Sequence, residues 1–423
     1  MRCFDKVIGY ESIKKELILY CDVLKNPQKY RKLGVKVPSG ILLDGNPGLG
    51  KTLMAKCFIN ESGCKTFTLR KEKPDGDFVK EIKEVYEKAK SEDQAIVFLD
   101  DLDKFANADY DHPNAEEYVA VQSCIDEYKA YGVFTIATVN DRDYLPNSLL
   151  RPGRFDKVIL VQEPNGENFR KIIKYFMSEK EISDDVDVEE IERLMEHNSC
   201  ADLETIINDA GIYAGFRGKE KIEQEDLVKA CIRNRFGASE DDNPYDEMNK
   251  RGIAIHEAGH VVVAELLNPG VVSAVSVNRH CNEIGGLTVY KFEETSGASS
   301  KYFEDEITRL LGGKAAYDLF NDDSDVGCSL DIKCAFNHAA YLIENCCVYS
   351  FDSHEGCQNS NRLLENSERR ASELVEKLYR KAQDLLRENK EFFEKVVDEL
   401  MIKDTLTFRD IQRLRSHTVG HIS

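Results

Sequence analysis

No stretch of the 423-residue sequence approaches the roughly 20 uninterrupted apolar residues that a bilayer-spanning helix needs. The most apolar region, Val261 to Val277, is broken by Glu265, Asn268, Pro269 and Gly270. Basic charge is in deficit: 57 Lys and Arg face 77 Asp and Glu, for a formal net charge of −20. That balance excludes a broad phosphate-binding surface, so no nucleic-acid partner is expected, although local basic sites remain open. No C-x-x-C pair occurs among the 13 cysteines, and Met1-Arg2-Cys3-Phe4-Asp5 leads into charged sequence, not a signal peptide. Free thiols in a reducing, cytoplasmic setting are expected, with no membrane span in the chain. Internal repeats and low-complexity tracts are also lacking.

The chain is too long for one hydrophobic core, and two or three domains are expected. Ile41 to Leu43, Thr66 to Leu69, Ala95 to Leu99 and Val133 to Ala137 read as buried strands separated by helical segments. That pattern implies a parallel sheet covered on both faces within residues 1–160. Residues 161–237 carry helical periodicity, and Gly237 is a terminator. The acidic, polar segment 238–249, with Pro244, reads as a linker. Residues 250–423 open on a helix, continue with strands over Val271–Asn278 and Gly286–Phe292, and then read as mostly helical to the end.

Gly45-Asn46-Pro47-Gly48-Leu49-Gly50-Lys51-Thr52 fits G-x-x-x-x-G-K-[ST], between the strand at Ile41 and a helix from Thr52 to Ile59. Glycines let backbone N–H groups wrap phosphates, and the helix N-terminus adds a favourable dipole. Lys51 then reaches the outer phosphates of ATP and Thr52 holds Mg²⁺. The run Ile96 to Leu99 delivers Asp100 and Asp101 to a strand end. There Asp100 can serve Mg²⁺ and Asp101 can polarise the hydrolytic water. Asn140, just past the strand at Val133, is placed to position the γ-phosphate or that water. Arg151 and Arg154, in Leu149 to Asp156, are either surface salt-bridge partners or groups that reach a neighbouring subunit's nucleotide.

A second motif is His256-Glu257-Ala258-Gly259-His260. Histidines four apart share one helix face and can bind one Zn²⁺, while Glu257 can take a proton from water activated there. Val263 and Leu266 stand where the metzincin continuation needs Gly and His, which excludes that class. The third ligand stays open on spacing alone between Glu283 and Asp331. Cys328 and Cys334 are further possible donors.

Together these residues resemble the FtsH family of AAA-type ATP-dependent zinc proteases, over nearly the whole chain. The likeness runs from Phe4 to Gly9 through Leu24 to Pro27, Lys32 to Gly34, the phosphate loop, and Leu149 to Asp156. It continues in Asn198 to Leu203, His256 to His260, Leu311 to Ala316 and Ser329 to Lys333, in the family's order. The resemblance implies an α/β P-loop AAA module with a helical lid, followed by a mainly helical zinc metalloprotease domain. It implies Asp331 as the third metal ligand, Asn140 as a sensor, and Arg151 and Arg154 as arginine fingers. It also implies homo-hexameric rings that thread and cleave unfolded or damaged proteins.

Four features depart from the family's pattern. The chain begins directly at the motor, so a soluble protein is expected unless a partner tethers it. Asp100-Asp101 replaces the usual Asp-Glu, a carboxylate one methylene shorter that predicts slower ATP turnover. No aromatic–apolar–Gly pore element is evident, with Phe78-Val79 as the candidate substitute. Glu127 to Tyr131 stands where the family carries an Asp-Gly-Phe signal. The expected function is ATP-dependent proteolysis with Glu257 as general base. The alternatives are an unfoldase or chaperone without proteolysis, and a zinc peptidase with a weakly hydrolysing motor.

Overall fold

A computed structural model describes residues 3–71, 77–106, 115–196, 198–236, 247–278, 285–291, 299–321, 327–348 and 361–418. The chain forms two compact units: Met1–Asp184 with His197–Glu223, and Asp185–Glu196 with Gln224–Ser423.

The first unit is built on five parallel strands, β1 (Gly40–Asp44), β2 (Lys65–Leu69), β3 (Ala95–Leu99), β4 (Val133–Val139) and β5 (Lys157–Leu160). Their order is β2-β3-β4-β1-β5. Every residue of β1, β3 and β4 is buried, whereas β2 and β5 are partly exposed, as edge strands are. The strand β5 escapes the sequence reading. Its short, mixed run Lys157-Val158-Ile159-Leu160 follows a Pro-Gly loop, and only pairing along β1 reveals it.

Helices α1 (Glu11–Lys25), α2 (Pro27–Arg31), α3 (Lys51–Ser62), α4 (Phe78–Lys90) and α5 (Glu116–Tyr128) accompany this sheet. Tyr86 of α4 is fully buried and pairs its hydroxyl with Thr135 of β4 at 2.9 Å. Phe78, the candidate pore aromatic, is instead a core residue. Its ring lies 4.8 Å from Phe105, edge to face, and the Lys71 ammonium sits over it. An anchored ring of this kind is not presented to solvent, which corrects the expectation for Phe78-Val79.

The helices that follow are α6 (Gly166–Ser178), α7 (Val188–Met195), α8 (Cys200–Phe216) and α9 (Gln224–Phe236). The dividing line between the units runs through this segment, with α6 and α8 on one side and α7 and α9 on the other. Gly237 and residues 238–246 of the linker lie outside the described residues. Residues 247–249 already belong to α10 (Glu247–Leu267).

In the second unit α10 is buried almost all round from Ala254 to Glu265, with His256 only half-buried, so it is a core helix and not an amphipathic surface one. Against it pack α11 (Ser300–Leu310), α12 (Gly312–Phe320), α14 (Asn361–Glu388) and α15 (Lys390–Lys403), while α13 (Ser329–Ala340) packs on α11 and α14, and α16 (Phe408–Ser416) on α15. Ala254, Ala258, Val261 and Val262 meet Phe392, Val396 and Leu400 in one apolar cluster. Glu265, fully buried on α10, accepts the backbone N–H of Gly270 at 2.9 Å and Val272 at 3.0 Å. Its charge caps a turn and takes no part in a site.

That turn leads into an antiparallel sheet ordered β7-β6-β8, made of β6 (Val272–Ser276), β7 (Leu287–Tyr290) and β8 (Thr405–Thr407). The strand β8 interrupts a stretch read as helix. Its three residues are too few for a period-2 signal and gain their form from pairing with β6. No described helix is long and apolar enough to cross a membrane.

Candidate metal centre and nucleotide site

Ligands of doubly wound sheets gather at the carboxyl ends of the strands, and three adjacent strands here deliver polar groups to one such edge. The phosphate loop leaves β1, Asp100 and Asp101 leave β3, and Asn140 leaves β4. Lys51 is buried and donates from Nζ to the carbonyls of Gly45 (2.6 Å) and Asn46 (2.7 Å) and to Asn140 Oδ1 (3.1 Å). Burial pushes its ammonium pKa below the ordinary lysine value, against the pull of Asp103, Asp101, Asp44 and Asp100. Asp100 Oδ1 accepts from the hydroxyls of Thr52 and Thr138, each at 2.9 Å.

Asp101 has a left-handed backbone (φ 57°), and its N–H donates to Thr138 Oγ1 at 2.9 Å. Its Oδ2 meets Lys104 Nζ at 2.9 Å and Arg70 Nη2 at 3.3 Å. Asn140 Nδ2 donates to Asp103 Oδ2 at 3.1 Å, while Asp103 Oδ1 is buried with no hydrogen-bond partner. The donor set of Lys51, Thr52 and Asn140 beside the carboxylates of Asp100 and Asp101 fits a nucleotide phosphate with its Mg²⁺.

The loop is braced from behind. Ser199 caps α8 in a reciprocal box with Asp202, and Ala201 N–H donates to the Gly48 carbonyl at 3.1 Å. Gly48 has φ 80°, and a Cβ there would sit 2.5 Å from Ser199 Oγ, so the position requires glycine. Leu49 is buried under the loop, Pro47 is exposed, and Gly50 caps α3 with φ 84°.

The two candidate fingers differ. Arg154 is engaged by its own chain, at Asp126 Oδ2 (2.8 Å), Gln122 Oε1 (3.1 Å) and the Ser148 carbonyl (2.5 Å). Arg151 is exposed.

In the second unit, α10 and the first turn of α13 bring His256, His260 and Asp331 together. The two Nε2 atoms lie 3.0 Å apart, and Asp331 Oδ2 lies 3.4 Å from His256 Nε2 and 3.6 Å from His260 Nε2. Tetrahedral ligands about 2.0–2.1 Å from a zinc ion stand roughly 3.3 Å from one another. The three observed separations bracket that value, so the residues fit a zinc ion and leave a fourth position for water.

Burial raises the pKa of Asp331, but hydrogen bonds with His256 and His260 outweigh it and hold the carboxyl well below the usual carboxylate range. His260 Nδ1 meets the Arg309 carbonyl at 2.9 Å. A carbonyl only accepts, so Nδ1 carries the proton and Nε2 offers its lone pair to the metal. Among the described residues no other group of histidine, cysteine and acidic side chains converges in this way. Cys328 is buried outside it, and Glu283 lies outside the described residues.

Sequence reading missed the groups that support these ligands. Gly313 on α12 faces the site, and a Cβ there would lie 2.6 Å from His256 Nε2 and His260 Nε2. Gly313→Ala is therefore expected to weaken zinc binding by about 10–100-fold, as loss of a ligand's support does. Competition with a chelating dye measures it, and affinity equal to wild type would contradict the crowding argument. Thr288 donates to Glu257 Oε2 at 2.7 Å, also unforeseen. The Gly-Gly pair at 312–313 could have signalled close approach to α10, whereas nothing in Leu287-Thr288-Val289 marks Thr288.

Comparison with known proteins matches both halves of the chain to known families. Residues 41–163 match the family model of the ATPase family associated with various cellular activities (AAA), and residues 244–414 match peptidase family M41. The ATP-dependent zinc metalloprotease FtsH of Caldicellulosiruptor bescii is 30% identical over 448 residues, covering 97% of this chain and 71% of its own. The FtsH 2 protein of Salinibacter ruber is 29% identical over 455 residues, covering 99% of this chain and 66% of its own. The FtsH protein of Streptobacillus moniliformis is 32% identical over 442 residues, covering 98% of this chain and 64% of its own. This chain thus spans about two thirds of these relatives' length. With an AAA module, a following M41 domain and near-full-length likeness of this degree, the chain belongs to the FtsH family of ATP-dependent zinc metalloproteases.

Proposed function

We propose that this chain is an ATP-dependent zinc metalloendopeptidase that unfolds and degrades unfolded or damaged proteins. It works as a homo-hexamer in a reducing, cytoplasmic compartment. Residues 1–160 serve as the nucleotide module, 161–237 as its lid, 238–246 as the linker and 247–423, from the start of α10, as the protease domain. The observation that carries this reading is the joint presence, in one chain, of the Lys51–Asn140 phosphate cradle and the His256–His260–Asp331 cage.

A zinc ion in that cage supplies Lewis-acid chemistry, acidifying water and polarising the scissile carbonyl. Glu257, buried beside it, takes the proton of the attacking water and returns it to the leaving amine nitrogen. At the motor, Lys51 neutralises the outer phosphates, Thr52 and Asp100 hold Mg²⁺, Asp101 orients the water, and Asn140 holds the γ-phosphate end. Arg151, exposed, reaches the nucleotide of a neighbouring subunit, and Arg154 joins it only by leaving its own-chain partners Asp126 and Gln122.

Digestion of an unfolded reporter, with and without ATP and a zinc chelator, tests this reading. Cleavage that needs both is expected. Cleavage indifferent to the chelator would remove it.

A weak motor is the second reading, favoured by Asp101. Its carboxylate is short and already engaged by Lys104 and Arg70. Asp101→Glu is expected to raise ATP turnover by about tenfold, since misplacing a catalytic group by a bond length costs on that order or more. Phosphate-release kinetics decide it: a turnover that stays level or falls in the variant would remove the weak-motor reading.

A further inference from the structure

The edge strand β7 runs beside α10 and sends alternate side chains to opposite faces, so Thr288 and Tyr290 share one side. Both reach the supports of the metal centre. Tyr290 stacks on the Arg309 guanidinium, 3.6 Å from carbon to ring centroid, and the Arg309 carbonyl is the group that holds His260 Nδ1. Thr288 acts on the other half of the site. Its Oγ1 donates to Glu257 Oε2 at 2.7 Å.

A carboxylate only accepts, so the direction of this hydrogen bond is fixed and the hydroxyl proton is committed to Oε2. Gly286, two residues earlier, bounds the same side chain. A Cβ at Gly286 would lie 2.8 Å from Glu257 Oε1 and 2.9 Å from its Cγ. Glu257 is thus held by one oxygen while the other passes a residue that has no side chain. A glutamate without such restraints samples several staggered rotamers, and a base must be within hydrogen-bond reach of the proton it takes.

We propose that Thr288 is a positioning residue for peptide hydrolysis: it holds Glu257 by Oε2, so that Oε1 is the oxygen that accepts the proton. The transfer breaks an O–H bond of the attacking water and forms an Oε1–H bond. The same proton then leaves Oε1 for the amine nitrogen as the peptide C–N bond breaks. This inference rests on Glu257 being the general base.

The test uses the full chain and a short fluorogenic peptide, with Thr288→Val and Thr288→Ser compared with wild type. Valine keeps the β-branched shape that suits the strand and removes only the donor. In Thr288→Val, kcat is expected to fall by about tenfold or more. KM, zinc content and melting temperature should stay unchanged. Thr288→Ser restores the hydroxyl and is expected within about threefold of wild type.

Equal kcat in Thr288→Val and wild type overturns the inference. So does a loss that follows lost zinc, or one that serine does not relieve. Glu257→Gln, run alongside, separates the two levels. If it cleaves as wild type does, the reading of Glu257 has failed. If it is inactive while Thr288→Val is fully active, only the role of Thr288 has failed.

Discussion

Glu257→Gln is expected to lower the turnover of a short peptide by about 10²–10⁴-fold, the range that a positioned acid–base group contributes. The protein should keep its fold and its zinc. Glutamine has the same length as glutamate, and its amide oxygen can still accept the Thr288 hydroxyl that now binds Oε2 at 2.7 Å. The ligands His256, His260 and Asp331 are untouched. Only the capacity to take and return a proton is lost. Peptide cleavage and zinc content measured on the same preparation check this. Retained cleavage would mean that another group handles the proton; lost zinc would mean that Glu257 supports the cage.

Lys51→Ala should separate the two activities. The buried ammonium donates to the Gly45 and Asn46 carbonyls and to Asn140 Oδ1. Its removal takes away the charge facing the outer phosphates. ATP turnover is expected to fall by about 10²–10³-fold, as for loss of one preorganised electrostatic group. Degradation of a folded reporter should stop with it. Short peptides need no unfolding, and their cleavage should persist. Phosphate release and the two digestions, run in parallel, check the prediction. Equal loss of peptide cleavage would show that the metal centre depends on the motor for more than substrate delivery.

What could be read from the sequence was local. The phosphate loop is contiguous and lies between a strand and a helix, and His256, Glu257 and His260 lie within one turn and a half of α10. Asp331 lies far along the chain on α13, and spacing alone left it level with Glu283 until the family likeness pointed to it. Strands β1, β3 and β4 were legible because they are buried on both faces and read as apolar runs.

The edge strand β5 and the three-residue β8 carry no such signal, since their form comes from partners distant in sequence. Phe78 resembled an exposed aromatic until the neighbouring Phe105 and Lys71 showed it to be core. Thr288 and Gly286 were hidden for a different reason. A threonine in a strand is ordinarily accounted for by its β-branched shape, and a glycine next to one by a bend.

Zinc K-edge X-ray absorption on the purified full chain, combined with metal analysis, tests the central claim most directly. The account predicts stoichiometric zinc whose first shell holds only nitrogen and oxygen at about 2.0–2.1 Å, from two imidazoles, a carboxylate and water, with imidazole scattering lost in His260→Ala. A sulfur shell at about 2.3 Å, which would bring Cys328 or Cys334 to the metal, would contradict it. So would the absence of zinc from protein that still cleaves peptide.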